Sequence, residues 1–557
     1  MSDYNILIGG AAGQGMDTIS NNIEKILHKL GYYLISTKNY ESRVRGGHNY
    51  IQIRFSSHPI YSHSNKFDFI IALNDEIIKN HKHKLKTNGV ILCDNSTTYT
   101  DDNIFSANIN NTAKSLGNIL MSNTVLLGML VKMFNLNLDI ALNVLSSSFK
   151  GEKLELNKKA LKAGYSIGKN ILTLPNIDKK ESMLINGNTS LALGSISAGC
   201  TFFSSYPMTP ATSIMTYLST KQNHTGMVVE QAEDEIGAIN TAVGASVAGV
   251  RSMTATSGGG LALMTETLSF LGVSETPLVV VNVQRPGPAT GLPTRTEQSD
   301  LSFVLTAGHG EFPRMIISLR DTEDCFYQTT RAFNLSEKYQ IPVIILSDEY
   351  LADCNITTPV FDSSMVTIDR YLANPSEIQN YKRYEFSDNG ASPRLIPGKS
   401  NHLVLTDSHE HLENGHITED PLVRINMVKK RDKKLETLIN NDIHEPNYFG
   451  NKSPEILLVG WGSTQGALRE AVYTLTSEKV NIGALVFGDI YPLPTKLLYK
   501  YSGIANYIIN IEQNYSGQLS KLISQETQIT MDKSLCKYDG RQLNHEDILE
   551  FLRKEVL

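Results

Sequence analysis

The sequence predicts a multi-domain α/β protein built on open parallel sheets, and three observations lead there. Apolar runs of strand length recur along the chain and end in turns rich in glycine, serine or proline, as in NILIGGAAGQG (5–15), RSMTATSGGG (251–260) and PEILLVGWGST (454–464). Several are followed by apolar residues at helical spacing, the order that makes βα units. At 557 residues, with 41% hydrophobic and 19% charged side chains, the chain is long enough for three or four ordinary cores.

The elements follow in order. YNILI (4–8) is a short apolar strand running into GGAAGQG (9–15), and Ile19, Ile23, Ile26, Leu27 and Leu30 give the next segment a helical stripe. Such a strand, glycine turn and helix can present backbone N–H groups to a phosphate, or can be a tight turn and no more. FDFIIAL (67–73) and GVILCD (89–94) read as buried parallel strands, with helices expected over 112–133 and 136–145. In NYESRVRGGHNYIQIRF (39–55), Arg43, Arg45, Gly46, Gly47 and His48 precede an alternating strand, so cations meet permissive backbone where a phosphate or a partner subunit could bind. The Lys/His run HKHKLK (81–86) reads as a solvated face.

A polar stretch, LPNIDKKES (174–182), separates the next α/β unit. NGNTSLALGSISAGC (186–200) is expected as a small-residue helix and TFFSSY (201–206) as a strand ending at YPMTP (206–210). The strands RSMTATS and PLVVVNV (277–283) end at TSGGG and QRPGP, so three loops could converge on the carboxyl edge of one sheet, where open parallel sheets bind ligands. Glu230, Glu233, Asp234 and Glu235 open the helix GAINTAVGASVAGV (237–250); carboxylates there can simply complement the helix dipole. A third unit begins at PEILLVGWGST, with strands NIGALVFGDI (481–490) and ANYIINIEQN (505–514). In the stretch before it, His402, His409, His411 and His416 accumulate; His409, His411 and Glu413 form a conceivable metal trio, but a structural role is expected and no metal site is assigned.

A net charge of −6 with mixed signs gives no footprint for nucleic acid or an anionic membrane. No apolar run approaches the ~20 residues of a membrane span, and the N-terminus enters a strand directly, so a cytoplasmic protein is expected. Five cysteines, Cys93, Cys200, Cys325, Cys354 and Cys536, contain no CxxC pair, which argues against an iron–sulfur cluster or structural zinc in this chain.

YPMTP, EQAEDEIGAINTAVG (230–244), TSGGG and GPATGLPTRTEQSD (287–300) together resemble the α subunit of 2-oxoacid:ferredoxin oxidoreductases. GGAAGQG and RVRGGHN resemble its γ domain, so the chain looks like the form with γ fused at the N-terminus, as in the 2-oxoglutarate enzymes. HGEFPR (309–314), SEKYQIPVIILSDEYL (336–351), ENGHITEDP (413–421), VGWGST (459–464) and IEQNYSGQL (511–519) extend the likeness over nearly the whole chain. It implies a γ-type domain over 1–175, a thiamine diphosphate pyrimidine-type domain over 183–400, and a transketolase C-terminal-like domain over 401–557 with a connecting loop at 401–450.

The implied activity is thiamine-dependent oxidative decarboxylation of a 2-oxo acid, 2-oxoglutarate foremost, with CoA to acyl-CoA and CO2, the electrons passing to ferredoxin. Glu235, nine residues before Gly244, matches the glutamate that hydrogen-bonds the cofactor's pyrimidine N1′. Cofactor contacts then fall to Tyr206, Pro207, Thr256, Ser257 and Gly258, and substrate binding to Thr209 with Arg285 or Arg295. Gly13, Gly15, Arg43, Arg45 and Gly46 are candidates for CoA or a phosphate. The sequence holds no GDG motif for diphosphate and Mg²⁺. A β subunit carrying that motif and the iron–sulfur cluster is therefore implied, in an (αγ)2β2 or αγβ assembly. Two other readings are a transketolase-like thiamine enzyme subunit and a non-enzymatic nucleotide-binding module; neither accounts for all the motifs.

Overall fold

The computed structural model describes residues 3–42, 46–175, 177–178 and 181–557. Its backbone divides into two compact units: residues 1–185 with 354–360 and 544–546, and the remainder. The fold is multi-domain α/β as expected, but its sheets are mixed rather than wholly parallel.

In the first unit an eight-stranded sheet runs in the order Ile104–Ala107, Leu85–Asp94, Phe67–Ala72, Asp3–Ala12, Gly46–Ser56, Tyr33–Asn39, Asn355–Pro359 and Ser182–Ile185. The first four are mutually parallel, as the buried apolar runs predict. The strand Gly46–Ser56 runs antiparallel to both Asp3–Ala12 and Tyr33–Asn39; only six residues separate it from Tyr33–Asn39, too few for a parallel crossover. The helix expected over 112–133 is two helices, Ile109–Ser115 and Ser122–Met133: at Gly117 the backbone takes φ +89°, which ends the first. One residue of the HKHKLK run departs from a solvated face, since His81 is buried, stacked on His48 at 4.9 Å between centroids and 2.8 Å away Nε2 to Nε2. Burial pushes its imidazole down to about 3.

The second unit carries two sheets. Six strands of the larger are parallel, in the order Met315–Ser318, Pro342–Asp348, Leu278–Gln284, Ser252–Thr256, Phe202–Ser205 and Val228–Gln231, with Asp489–Tyr491 antiparallel at one edge. Every residue of Leu278–Gln284 is buried, which is why this strand reads as LVVVNVQ rather than as an alternation. The chain passes outward from Phe202–Ser205 to Val228–Gln231, then returns to Ser252–Thr256 on the other side. That reversal is a topological switch point, and it opens a crevice at the carboxyl ends of the strands. The smaller sheet runs Asn447–Gly450, Ile482–Phe487, Ile456–Trp461, Tyr507–Glu512 and Lys533–Cys536.

The 401–450 stretch, expected as a connecting loop, contains the 21-residue helix Pro421–Asn441. Its start is the DP pair: Asp420 caps Leu422 and Val423 N–H while Pro421 takes the first helical position, where no N–H is needed. Buried charge fixes this helix. Lys430 Nζ lies 2.7 Å from Glu275 Oε1, and Lys434 Nζ lies 2.5 Å from Oε2. All three side chains are essentially inaccessible to water. Removing one member leaves buried charge uncompensated, so Glu275→Ala is expected to cost about 3–5 kcal/mol of unfolding free energy in a urea titration. A loss below ~1 kcal/mol would show that the cluster does not hold the helix.

Candidate active site

Four loops of the larger sheet meet at the switch point. The YPMTP loop follows Phe202–Ser205 and is held from below by Asn188, whose Nδ2 donates to Pro210 O at 2.9 Å and to Ser213 Oγ at 2.8 Å. Ser205 Oγ donates to Ala255 O at 2.7 Å and so ties this loop to the neighbouring strand end. Across the switch point the Thr256 hydroxyl reaches Met208 Sδ at 3.7 Å.

The acidic cluster resolves into distinct roles. Asp234 is the N-cap of the helix Glu235–Val247, its Oδ1 accepting from Gly237 N at 2.7 Å. Glu233 is exposed, and Glu230 lies within the strand Val228–Gln231. Glu235 is the first helical residue, and its side chain is buried at 4% exposure. Its Oε1 finds no hydrogen-bond partner among the described residues; Glu230 Oε2, Ser257 Oγ and Asn282 Oδ1, at or near the ends of neighbouring strands, share that condition. A buried polar atom left unpaired costs about 1–3 kcal/mol, so a cluster of them marks a place shaped for something other than the fold.

The TSGGG segment is not the glycine turn its composition suggests. Gly258 begins the short helix Gly258–Leu263, and the glycines supply room rather than backbone freedom. A Cβ on Gly260 would stand 2.0 Å from Thr256 Oγ1 and 2.8 Å from Glu235 Oε1. A Cβ on Gly258 would stand 2.6 Å from Asp300 Oδ2. The absent side chain at 260 thus makes a cradle at the Glu235 carboxylate. A buried carboxylate oxygen without a hydrogen-bond partner among the described residues fits the pyrimidine edge of thiamine diphosphate.

Arg285 and Thr209 come together: Arg285 Nη1 donates to Thr209 O at 2.6 Å. Burial lowers the Arg285 guanidinium from its usual value, and the Asp300 charge opposes this. Arg295 lies further along the same loop and feels the Glu349 carboxyl, which burial pushes well up. Tyr206 is exposed, Pro207 and Gly258 are half-buried, and Thr256 and Ser257 are fully buried at the end of their strand. Sequence reasoning did not single out Gly260, Asn282 or Asp300. Gly260 and Asp300 appeared only as the last residues of TSGGG and GPATGLPTRTEQSD, with no role attached to either.

In the first unit, Gly13 and Gly15 have φ +91° and +82°, and Gly15 caps the helix Met16–Lys29 without a side-chain bond. Ala12 pairs with Gly46 across the sheet, so the two candidate phosphate segments are neighbours. Arg43 and Arg45 lie outside the described residues. The His409, His411 and Glu413 side chains make separate contacts: His409 with Asp407, His411 stacked on Tyr384 at 3.6 Å, and Glu413 with Lys382 at 3.0 Å. Among the described residues no helix is long and apolar enough to cross a membrane.

Residues 193–430 match the family described as pyruvate flavodoxin/ferredoxin oxidoreductase, thiamine diphosphate-binding, and residues 5–167 match pyruvate ferredoxin/flavodoxin oxidoreductase. A 2-oxoacid:ferredoxin oxidoreductase subunit alpha of Sulfolobus sp. is 32% identical over 618 aligned residues, covering 99% of this chain and 96% of the relative. A 2-oxoglutarate oxidoreductase subunit of Mycobacterium tuberculosis is 28% identical, covering 98% and 91%. Among solved structures, the 2-oxoglutarate:ferredoxin oxidoreductase of Magnetococcus marinus with 2-oxoglutarate, coenzyme A and succinyl-CoA bound superposes with a TM-score of 0.94, at 33% identity and complete coverage of both chains. With likeness over the full length in both sequence and structure, the chain belongs to the α subunits of the 2-oxoacid:ferredoxin oxidoreductases, thiamine-dependent enzymes that work as multisubunit assemblies with ferredoxin.

Proposed function

We propose that this chain is the γ-fused α subunit of an enzyme that oxidatively decarboxylates 2-oxoglutarate with CoA, giving succinyl-CoA and CO2 and passing electrons to ferredoxin through a β subunit. The observation that carries it is the buried Glu235 Oε1, without a hydrogen-bond partner among the described residues, beside the side-chain-free Gly260. The substrate choice is supported by the Magnetococcus marinus structure, in which 2-oxoglutarate, coenzyme A and succinyl-CoA are bound.

When bound, thiamine diphosphate supplies the electron sink that makes loss of CO2 from a 2-oxo acid feasible. Glu235 would hold the pyrimidine N1′ by a hydrogen bond through which a proton can be shared. Tyr206, Pro207, Thr256, Ser257 and Gly258 shape the cofactor's pocket, and Thr209 faces the 2-oxo group. Arg285 is the carboxylate clamp we favour over Arg295, because it is tied to the Thr209 carbonyl at 2.6 Å. A guanidinium suits a carboxylate through paired N–H donors.

In this reading residues 1–175 are the γ-type domain, 183–400 the pyrimidine domain and 401–557 the transketolase C-terminal-like domain. Gly13, Gly15 and Gly46, with Arg43 and Arg45, are the candidates for holding CoA. The chain has no GDG motif, and four of its five cysteines are buried. Mg²⁺ with the diphosphate, and the iron–sulfur cluster, are accordingly assigned to the β subunit of an (αγ)2β2 or αγβ assembly in the cytoplasm.

The test is reconstitution. Co-expressed with a β subunit bearing the diphosphate and cysteine motifs, the chain is expected to support 2-oxoglutarate- and CoA-dependent reduction of ferredoxin or a viologen; alone it is expected to be inert. Full turnover by the isolated chain would refute the shared site, and preference for pyruvate would refute the substrate.

A further inference from the structure

The segment between the strand Leu278–Gln284 and the helix Leu301–Thr306 carries Arg285 and Arg295 and is irregular throughout. A long irregular segment holds one shape only where it is pinned. Its foot is closed by Asp300, which makes no capping bond to its own helix. Instead Oδ2 accepts from Asn282 Nδ2 at 3.0 Å, and the Asp300 N–H donates to Gln284 Oε1 at 3.1 Å.

A second pin comes from the smaller sheet. Its chain passes from Ile456–Trp461 outward to Ile482–Phe487, then crosses to Tyr507–Glu512 on the other side, all three being parallel. The carboxyl ends of Ile456–Trp461 and Tyr507–Glu512 therefore flank a second switch point, where such sheets ordinarily bind ligands. Here Gln298 fills that place, 1% exposed. Its Nε2 donates to Trp461 O at 2.8 Å, and its Oε1 accepts from Gln513 N at 3.2 Å. Its main-chain N–H donates to Gln513 O at 2.7 Å, and its carbonyl accepts from Asn514 Nδ2 at 3.1 Å. Glu512 braces this receptor, Oε2 accepting from Trp461 Nε1 at 3.0 Å and from Asn514 Nδ2 at 2.8 Å.

From this pin, hydrogen bonds run back along the segment to the first arginine. The Arg295 N–H donates to Leu292 O at 3.1 Å, and the Leu292 N–H donates to Pro286 O at 3.0 Å. Arg285, the residue before, donates from Nη1 to Thr209 O at 2.6 Å. Gly540, which follows the smaller sheet's strand Lys533–Cys536, abuts the middle of the segment: a Cβ there would lie 3.0 Å from Leu292 Cδ1 and 3.2 Å from Arg295 Cβ.

We propose that Gln298 is the positioning residue of the substrate loop: seated in the switch point of the smaller sheet, it sets where Arg285 presents its guanidinium to the carboxylate of the 2-oxo acid. The inference rests on Arg285 being the substrate clamp. Gln298 acts through the segment and not by contact with the substrate. The smaller sheet thereby governs substrate binding from outside the crevice.

The assembled enzyme separates this role from a tether that serves folding alone. Gln298→Ala releases the segment from Trp461 O and Gln513 N, and it is expected to raise KM for the 2-oxo acid ~10-fold, with kcat within about threefold and KM for CoA unchanged. A tether for folding alone would lower the melting temperature and leave every KM as it is. Gly540→Ala presses on Leu292 and Arg295 without altering the Gln298 amide and is expected to raise the same KM about threefold. It carries the test should Gln298→Ala fail to assemble. In an Arg285→Ala background, Gln298→Ala is expected to add less than about twofold, because residues that act through one another are not additive. An unchanged or lowered KM in the variant that assembles, or an equal factor in both backgrounds, would overturn the proposal. An Arg285→Ala enzyme with unchanged KM would overturn it together with the choice of clamp. A wild-type complex inert toward every 2-oxo acid would instead strike the functional reading itself.

Discussion

Glu235→Ala is expected to lower kcat of the assembled enzyme by about 10³-fold or more, at the upper end of what one proton-transferring group contributes, while the subunits still assemble. The sign of the stability change sharpens this expectation. Glu235 Oε1 is buried without a hydrogen-bond partner among the described residues, so the wild-type chain carries an unmet desolvation cost there. Removing the carboxylate relieves that cost, and the melting temperature should hold or rise as activity disappears. Glu235→Gln keeps the shape and a hydrogen bond but cannot share a proton with N1′, and a loss of about 10²-fold is expected. Thermal melting of the purified subunit and single-turnover kinetics of the complex measure the two quantities independently. Should the alanine variant retain above a tenth of wild-type kcat, the role would pass to Glu230, whose Oε2 is also buried with no hydrogen-bond partner among the described residues.

The crevice was legible in the sequence because parallel strands buried on both faces write themselves as apolar runs and stop at their polar loops. YPMTP, Glu235, TSGGG and QRPGP all lie where the strand ends put them, around one switch point. Side-chain direction was not legible. Nothing in TEQSD says that Asp300 forgoes its capping bond for Asn282, 18 residues earlier, or that the glycines of TSGGG are helical and provide space. Pairings distant in sequence were hidden for the same reason. The strand Asn355–Pro359 joins the first unit's sheet between partners more than 150 residues earlier in the chain, and no local pattern encodes that. Glu275, a charged residue at φ +51° after a helix, reads as a solvated helix end until Lys430 and Lys434 are brought to it from the far side of the sequence. The broken helix at Gly117 was the reverse case, a local signal present in the sequence and outweighed by apolar periodicity on either side.

Gly260→Ala is expected to lower kcat by ~10²-fold, the scale of loss when a reacting group is misplaced by about 1 Å. The added methyl cannot be absorbed where it falls. Its nearest neighbours would be Thr256 Oγ1 at 2.0 Å, Glu235 Cγ at 2.7 Å and Glu235 Oε1 at 2.8 Å, all well inside contact distance. Thr256 is fully buried in a central strand, so its hydroxyl can give way only by a rotamer change. The Asp234 cap on Gly237 N–H fixes the start of the helix that carries Glu235, so the strain passes to the Glu235 side chain, whose Oε1 has no hydrogen-bond partner among the described residues to hold it. Overpacking costs about 1–3 kcal/mol in stability, offset in part by alanine's higher helix propensity. Gly259→Ala serves as the stability control: it gains the same propensity, and beyond its own helix backbone and chain neighbours its Cβ meets nothing within 4 Å among the described residues, so its melting temperature should hold or rise while that of Gly260→Ala falls. If Gly260→Ala turns over at the wild-type rate, the Glu235 carboxylate does not need the position the cradle gives it, and the link between that cradle and the chemistry fails.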